Sequence, residues 1–518
     1  MLSDLNAFLP VLTLVVTALA IMVADWFLPE GDPRPPATLA VVGLSATGAV
    51  LARGWLVADT PAFVHAVARP GPGPAEAAMV WHDGFGVFAG AVLVVAALLT
   101  VLLGLDHARR RPALARAEHV VLVLLATAAM LLVAMANDLI LVFLGIETFS
   151  IALYVLAGFL REERPSLEAA MKYFVLGAFA AGFLLYGIAL VYASTGTTNL
   201  EVVAAILAAE VHSLPRVAYV GLGLILVGLG FKVAAVPFHQ WTPDVYEGAP
   251  TTVTAFMSAA TKTAAFAALM RVLWVGFAPL ADAWVPLVTG AAVLTMVVGN
   301  LSALVQVDLK RMLGFSAVAH AGYLLVAVAA GPALGASALL FYLLVYALMN
   351  LGAFGALLAI GPVGPEGRDA TNLRDLRGLW TRSPGVALAL AVCLIGLTGL
   401  PPTAGFMGKW YIFMAAVDAD LTWLAAVMVL ASVVSAFYYL RPVALMFVAP
   451  PEDPAVVAPR RATAVAVGVA AALVALAMVV LGPVATAATG ASMAGASPDG
   501  LHGARAGEPG SGALSGAP

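Results

Sequence analysis

Five ionisable side chains sit where lipid or packed protein, not water, must surround them. Glu147, Lys232, Lys262, His320 and Lys409 each lie inside an apolar run. An ionisable group at such a depth costs roughly 2.5–3.5 kcal/mol and marks an ion or proton path. Lysine usage is the sharpest sign of that chemistry. Of 25 basic residues only five are lysines, Lys172, Lys232, Lys262, Lys310 and Lys409, and arginine serves the loops. Arginine does not give up its proton in practice, whereas a lysine taken out of water can. A chain with arginine at its surface and lysine in its interior therefore reads as built for exchangeable protons. Snorkelling from a helix end accounts for Lys172 and Lys310. It does not account for Lys262, which has Thr252 ten residues before it and Arg271 nine after. Bland roles stand beside these: Glu147 as a structural counter-charge, His320 as a hydrogen-bonded bundle histidine, His239 as a cap on freed carbonyls. Trp241 and Tyr246 read as interfacial anchors.

Such residues need spanning helices to hold them. The chain of 518 residues is 62% hydrophobic and 10% charged, against roughly 25% charged in soluble proteins. It reads as an all-α integral membrane protein. Runs near the length a bilayer core requires fall at 6–28, 36–58, 84–105, 119–135, 137–160, 167–193, 216–245, 252–275, 284–305, 309–330, 333–360, 384–417, 421–447 and 462–484. That predicts about 14 transmembrane helices, the first of them retained, since the start lacks the basic residues of a cleavable signal. If the spans alternate, the stretch "DHARRRPALARAEH" (106–119), "REER" (161–164), Lys310–Arg311, Arg368–Arg382 and Arg460–Arg461 share one side. The positive-inside rule makes that side cytoplasmic and puts both termini outside. The small-residue, Gly-rich tail 485–518 reads as disordered.

Two halves of the chain echo each other. Asp138-Leu139 and Asp308-Leu309 lie 170 apart, as do Arg271 and Arg441, and "LGAF" recurs at 176–179 and 351–354. Pro237 in the seventh run and Pro402, beside Pro401, in the twelfth are 165 apart, and these two runs are the long ones. The repeating unit holds five helices, 4–8 and then 9–13. An odd number sends the second copy through the membrane inverted, and inverted repeats with a broken helix in each mark a transporter with its ion site at the breaks. The predicted organisation is an N-terminal three-helix region with a basic loop (1–117), the two repeats (118–275 and 284–448), a final helix (460–484) and the tail.

Other chemistries find no residues. Cys393 is the single cysteine, and the eight histidines are scattered without a ligand pair, so no metal site is expected. There is no GxGxxG after a strand, no P-loop and no soluble stretch long enough for a nucleotide domain. No basic tail points to nucleic acid.

The stretch "FKVAAVPFHQWTPDVYEGAPTTVTAFMSAATKTAAFAAL" (231–269) closely resembles the region of helices 7 and 8 in subunit N of respiratory complex I, the proton-translocating NADH:quinone oxidoreductase. "FLGIETFSIALYVLAGF" (143–159), "KRMLGFSAVAHAGYLL" (310–325) and "GLPPTAGFMGKWYIF" (399–413) resemble that family's helices 5, 10 and 12. The likeness runs from about 118 to 447, with Thr252 standing where the family commonly has proline. It implies a membrane-arm subunit in a bacterial inner (plasma) membrane that translocates protons as one translocase within the complex. NADH, flavin, iron–sulfur clusters and quinone would belong to partner subunits. It further implies Glu147 as electrostatic modulator, Lys232 as proton donor, Lys262 and His320 as relay, and Lys409 as the far terminal site. The competing readings are a subunit of a multisubunit cation/proton antiporter and a scaffold whose polar row only fixes helix packing.

Overall fold

The computed structural model describes residues 2–27, 31–55, 60–67, 75–209, 216–363, 368–451, 459–476 and 487–488. Its long helices, the first to fourteenth spans in chain order, begin with Leu2–Asp25, Arg34–Trp55, Gly84–Ala108, Ala117–Met135, Leu139–Ala157 and Arg164–Thr195. The seventh is Arg216–Val233 continued by Trp241–Gly248. Thr251–Gly276, Ala281–Leu304, Leu309–Ala330 and Pro332–Ile360 follow. The twelfth is Pro384–Thr398 continued by Ala404–Asp418, and Thr422–Val448 and Arg461–Ala475 complete the series. Among the described residues, twelve helices are long and apolar enough to cross a membrane. The expected fourteen are not reached by that measure. The twelfth span is split into two halves of 15 residues each, and the fourteenth is described over 15 residues only. The rest of that last run and nearly all of the tail lie outside the described residues.

Several shorter elements lie outside the expected spans, the largest being a hairpin and a ten-residue helix. An antiparallel hairpin, Thr60–Val67 with Ala75–His82, joins the second and third spans. A short helix, Leu200–Ala209, follows the sixth. The "PGPGP" at 70–74 between two short apolar runs is a turn signal, hidden by its position between much longer apolar stretches.

The two repeats begin alike. Asp138 accepts a hydrogen bond from Ile140 N (2.8 Å) and caps the fifth span, and Asp308 accepts from Arg311 N (3.0 Å) and caps the tenth. A short polar side chain at this place satisfies an amide that the helix leaves orphaned. Both caps are pinned by an extended segment from further along the chain. Leu139 N donates to Thr198 O and Leu200 N to Asn137 O; Leu309 N donates to Thr371 O and Leu373 N to Val307 O. The first knot lies on the hairpin face, where Asn137 N donates to Met79 O. The second lies in the connection that carries Arg368, Arg374 and Arg377.

The core is the eighth span, buried at every residue from Thr251 to Gly276, flanked by the almost wholly buried tenth and eleventh. By contrast the sixth turns Met171, Phe174, Phe179 and Tyr186 outwards, the apolar face a lipid-facing helix presents.

Candidate proton-path site

The first break begins at Ala234, two residues past Lys232. The seventh span stops at Val233, Ala234 takes a left-handed φ of 61°, and helix resumes at Trp241. Stopping a helix leaves carbonyls without partners, which a bilayer cannot supply. Here protein supplies them. Val233 O accepts from Lys262 Nζ (2.5 Å) and Phe231 O from Trp241 Nε1 (2.9 Å). Lys232 Nζ itself donates to Ser150 Oγ (2.7 Å) and lies 5.5–6.0 Å from the rings of Phe231, Tyr154, Phe149 and Tyr173.

Glu147 is half-buried one turn before Ser150, and its Oε1 is buried without a hydrogen-bond partner among the described residues. Among the described residues no ion pair joins it to Lys232, whose Nζ donates to Ser150 Oγ instead.

The second break repeats the arrangement with different parts. The first half of the twelfth span ends at Thr398, Gly399 takes φ 82°, and helix resumes at Ala404. Thr398 O accepts from Lys409 Nζ (2.9 Å), which also reaches Ser432 Oγ (3.2 Å) and stands 4.5 Å from the ring centroid of Tyr323. A cation at a helix C-terminus gains up to ~2 kcal/mol when partly buried, which offsets part of the cost of its depth. Pro237 and Pro402 sit at the two breaks and are exposed, as is Pro401.

His320 lies between the breaks. Its Nδ1 meets Tyr342 Oη at 2.6 Å and its Nε2 meets Tyr439 Oη at 3.0 Å. It is within electrostatic reach of both Lys262 and Lys409, and its ring stands 5.3 Å from that of Tyr323. The structure thus joins Lys232 to Lys262 through the first break, and His320 to Lys409 through Tyr323. Glu147 and Lys232 share a helix pair without touching.

Comparison with known proteins places the chain in a family. Residues 136–435 match the transmembrane family described as NADH:quinone oxidoreductase/Mrp antiporter. NADH-quinone oxidoreductase subunit N of Trichlorobacter lovleyi is 42% identical over 87% of this chain and 89% of its own. The chain belongs to the subunit N family of NADH-quinone oxidoreductase. A chain of respiratory complex I from Thermus thermophilus superposes with a TM-score of 0.73 at 35% identity, over 91% of this chain and 98% of that one. A chain of the Mrp complex from Dietzia superposes at 0.77 with 24% identity, over 95% and 98%. That last likeness speaks for the fold alone, so subunit N is favoured over the antiporter reading.

Within this subunit N fold several residues differ from the sequence reading. Trp241 and Tyr246 are fully buried, not interfacial. Trp241 stacks on Tyr173 at 4.6 Å and ties the two halves of the seventh span together. Their aromatic character resembles that of an interfacial belt, and only packing separates the two roles. Lys310 is buried rather than snorkelling, and its Nζ donates to Ala249 O (2.7 Å) at the end of the seventh span. Lys172 does reach the surface, pairing with Glu168 and Asp244 at 2.7 Å each. Thr252 uses its hydroxyl, which proline would lack, to meet His107 Nδ1 at 3.2 Å.

Three features went unread. Arg271 is fully buried against Asp83 (2.6 Å) and Ala134 O (2.7 Å). The eighth span carries π-helical turns at Met257–Thr261, just before Lys262, and at Arg271–Gly276; such turns gather at functional sites. Finally, Thr251, Thr254, Ser258 and Thr261 recur at spacings of three and four on that span. This puts four buried hydroxyls on one helical face leading to Lys262. At its foot Thr251 Oγ1 donates to Asp369 (2.5 Å), beside a charged vestibule of about 470 Å³. Burial pushes the Asp369 carboxyl up, but His107, Lys310 and the Thr251 hydroxyl together hold it below the ordinary carboxylate value. The spacing of these hydroxyls was the signal for the row.

Proposed function

We propose that this chain translocates protons across a bacterial inner membrane as a membrane-arm subunit of NADH-quinone oxidoreductase. NADH oxidation and quinone reduction, with flavin and iron–sulfur clusters, take place in partner subunits. The observation that carries the reading is the row of buried lysines, two at the first helix break and one at the second, each ammonium seated on a backbone carbonyl or a hydroxyl instead of a fixed carboxylate. Such partners hold a proton without trapping it. Glu147 modulates the row: when its field on Lys232 weakens, release of the Lys232 proton towards Lys262 becomes easier. His320 and Tyr323 lead on to Lys409, the terminal site.

The Arg-rich face is cytoplasmic in this reading, with both termini on the other side. Protons enter at the Asp369 vestibule and follow the hydroxyl face of the eighth span.

The test is Glu147→Gln in the complete complex reconstituted into vesicles, with quinone reduction and proton uptake followed together. Both should fall while assembly is kept. Normal turnover with a full proton gradient would remove Glu147 from the mechanism, and sodium flux without any redox chain would favour the antiporter reading.

A further inference from the structure

The Arg-rich face holds a second cleft, which adjoins the vestibule at Arg111, Leu160 and Glu163 and lies apart from the lysine row. It is an open cavity of about 960 Å³ formed where the basic loop after the third span meets the end of the fifth and the start of the sixth. Its two rims differ in chemistry. One carries Arg110, Arg111, Arg116 and Arg161; the other carries Val155, Leu167 and Met171, whose side chains are exposed on the apolar faces of the fifth and sixth spans. Arg111 is engaged with Glu163 (3.2 Å), and Arg110 Nη1 donates to Leu358 O (2.8 Å). The guanidinium groups of Arg116 and Arg161 are exposed and make no hydrogen bond or ion pair among the described residues. Glu162 and Glu163 also line the cleft, so four cations face two carboxylates and the surplus is positive.

We propose that this cleft binds an anionic phospholipid. Its phosphate would lie between Arg116 and Arg161, and an acyl chain would run over Val155, Leu167 and Met171. A guanidinium offers a planar fork of donors that matches phosphate oxygens. Basic pockets beside spanning helices, at the level where apolar surface gives way to charge, suit acidic head groups. A soluble phosphate would use only the arginine rim and leave the apolar one bare, while a neutral lipid would leave the surplus charge unmatched. A phospholipid with net negative charge fits both rims. The site makes no use of the lysine row, and although Arg111 and Glu163 line the vestibule as well, Arg116 and Arg161 line the cleft alone, so lipid retention is read separately from translocation.

The test uses the complete complex in nanodiscs of phosphatidylcholine containing a minor fraction of phosphatidylglycerol, with retained lipid measured by native mass spectrometry after delipidation. The wild type should keep phosphatidylglycerol with roughly tenfold preference over phosphatidylcholine. Arg116→Gln/Arg161→Gln should lose that preference, and Arg374→Gln, outside the cleft, should keep it. Glycerol phosphate at millimolar concentration should not compete with the retained lipid. Equal retention by the double variant, displacement by free phosphate, or no anionic lipid on the wild type because an acidic segment of a neighbouring subunit cross-links into the cleft would each overturn the proposal. If the double variant fails to assemble, the wild-type preference and the competition still decide it.

Discussion

The two helix breaks solve the same problem with different parts. At the first, the freed Val233 carbonyl is met by Lys262 from the next span, while the local lysine, Lys232, turns to Ser150. At the second, the freed Thr398 carbonyl is met by Lys409 from the same broken span. Ser432, 170 positions after Lys262, provides the hydroxyl there. The first break therefore joins two cations around one backbone turn, and the second holds one. The turn itself differs too. The left-handed position is Ala234 in the first break and Gly399 in the second, where a Cβ would come within 2.7 Å of Lys409 Cδ. Glycine there makes room for the lysine.

The largest effect expected from breaking this comparison lies at its edge, in Arg271 and its repeat partner Arg441. Arg271→Ala leaves Asp83 buried without its cation and should destabilise the chain by about 3–5 kcal/mol. Arg441→Ala, at an exposed position, should stay within about 0.5 kcal/mol. Thermal unfolding of the two variants in detergent measures both, and equal losses would mean that the repeats use this arginine alike.

Next come the paired cations. Lys232→Ala and Lys262→Ala should each cut proton pumping by roughly tenfold or more. The double variant should be little worse than either, since one broken link already stops the relay. A double-mutant cycle on pumping by the reconstituted complex measures the coupling. Losses that multiply would make the two lysines independent.

At the second break, Lys409→Arg keeps the charge and removes the exchangeable proton. Pumping should fall well below that of the wild type while assembly persists. Equal pumping by the Lys and Arg forms would show that Lys409 supplies only an electric field.

The smallest pair of effects concerns the turns. Gly399→Ala should cost about 1–3 kcal/mol from its left-handed φ and should lower pumping further by displacing Lys409. Ala234→Gly, at the same kind of backbone position, should be neutral or stabilising by about 0.5–1 kcal/mol. Melting temperatures of the two variants compare them directly, and a destabilising Ala234→Gly would contradict the parallel between the breaks.

Much of this protein was determined by its sequence alone. Composition settles lipid as the solvent, because no soluble surface can be assembled from 10% charged residues. Run lengths place the spans to within a few residues, and Pro237 and Pro402 mark the breaks. The scarcity of lysine singles out Lys232, Lys262 and Lys409. What each of these side chains touches was decided only by the tertiary structure. Arg271 meets Asp83 across 188 positions, Thr251 meets Asp369 across 118, and Lys232 meets Ser150 across 82. The physical reason is that a helix apolar on every side has no polar face to show which way it turns. Its rotation is chosen by the packing of its neighbours, and that packing brings a serine rather than Glu147 to Lys232.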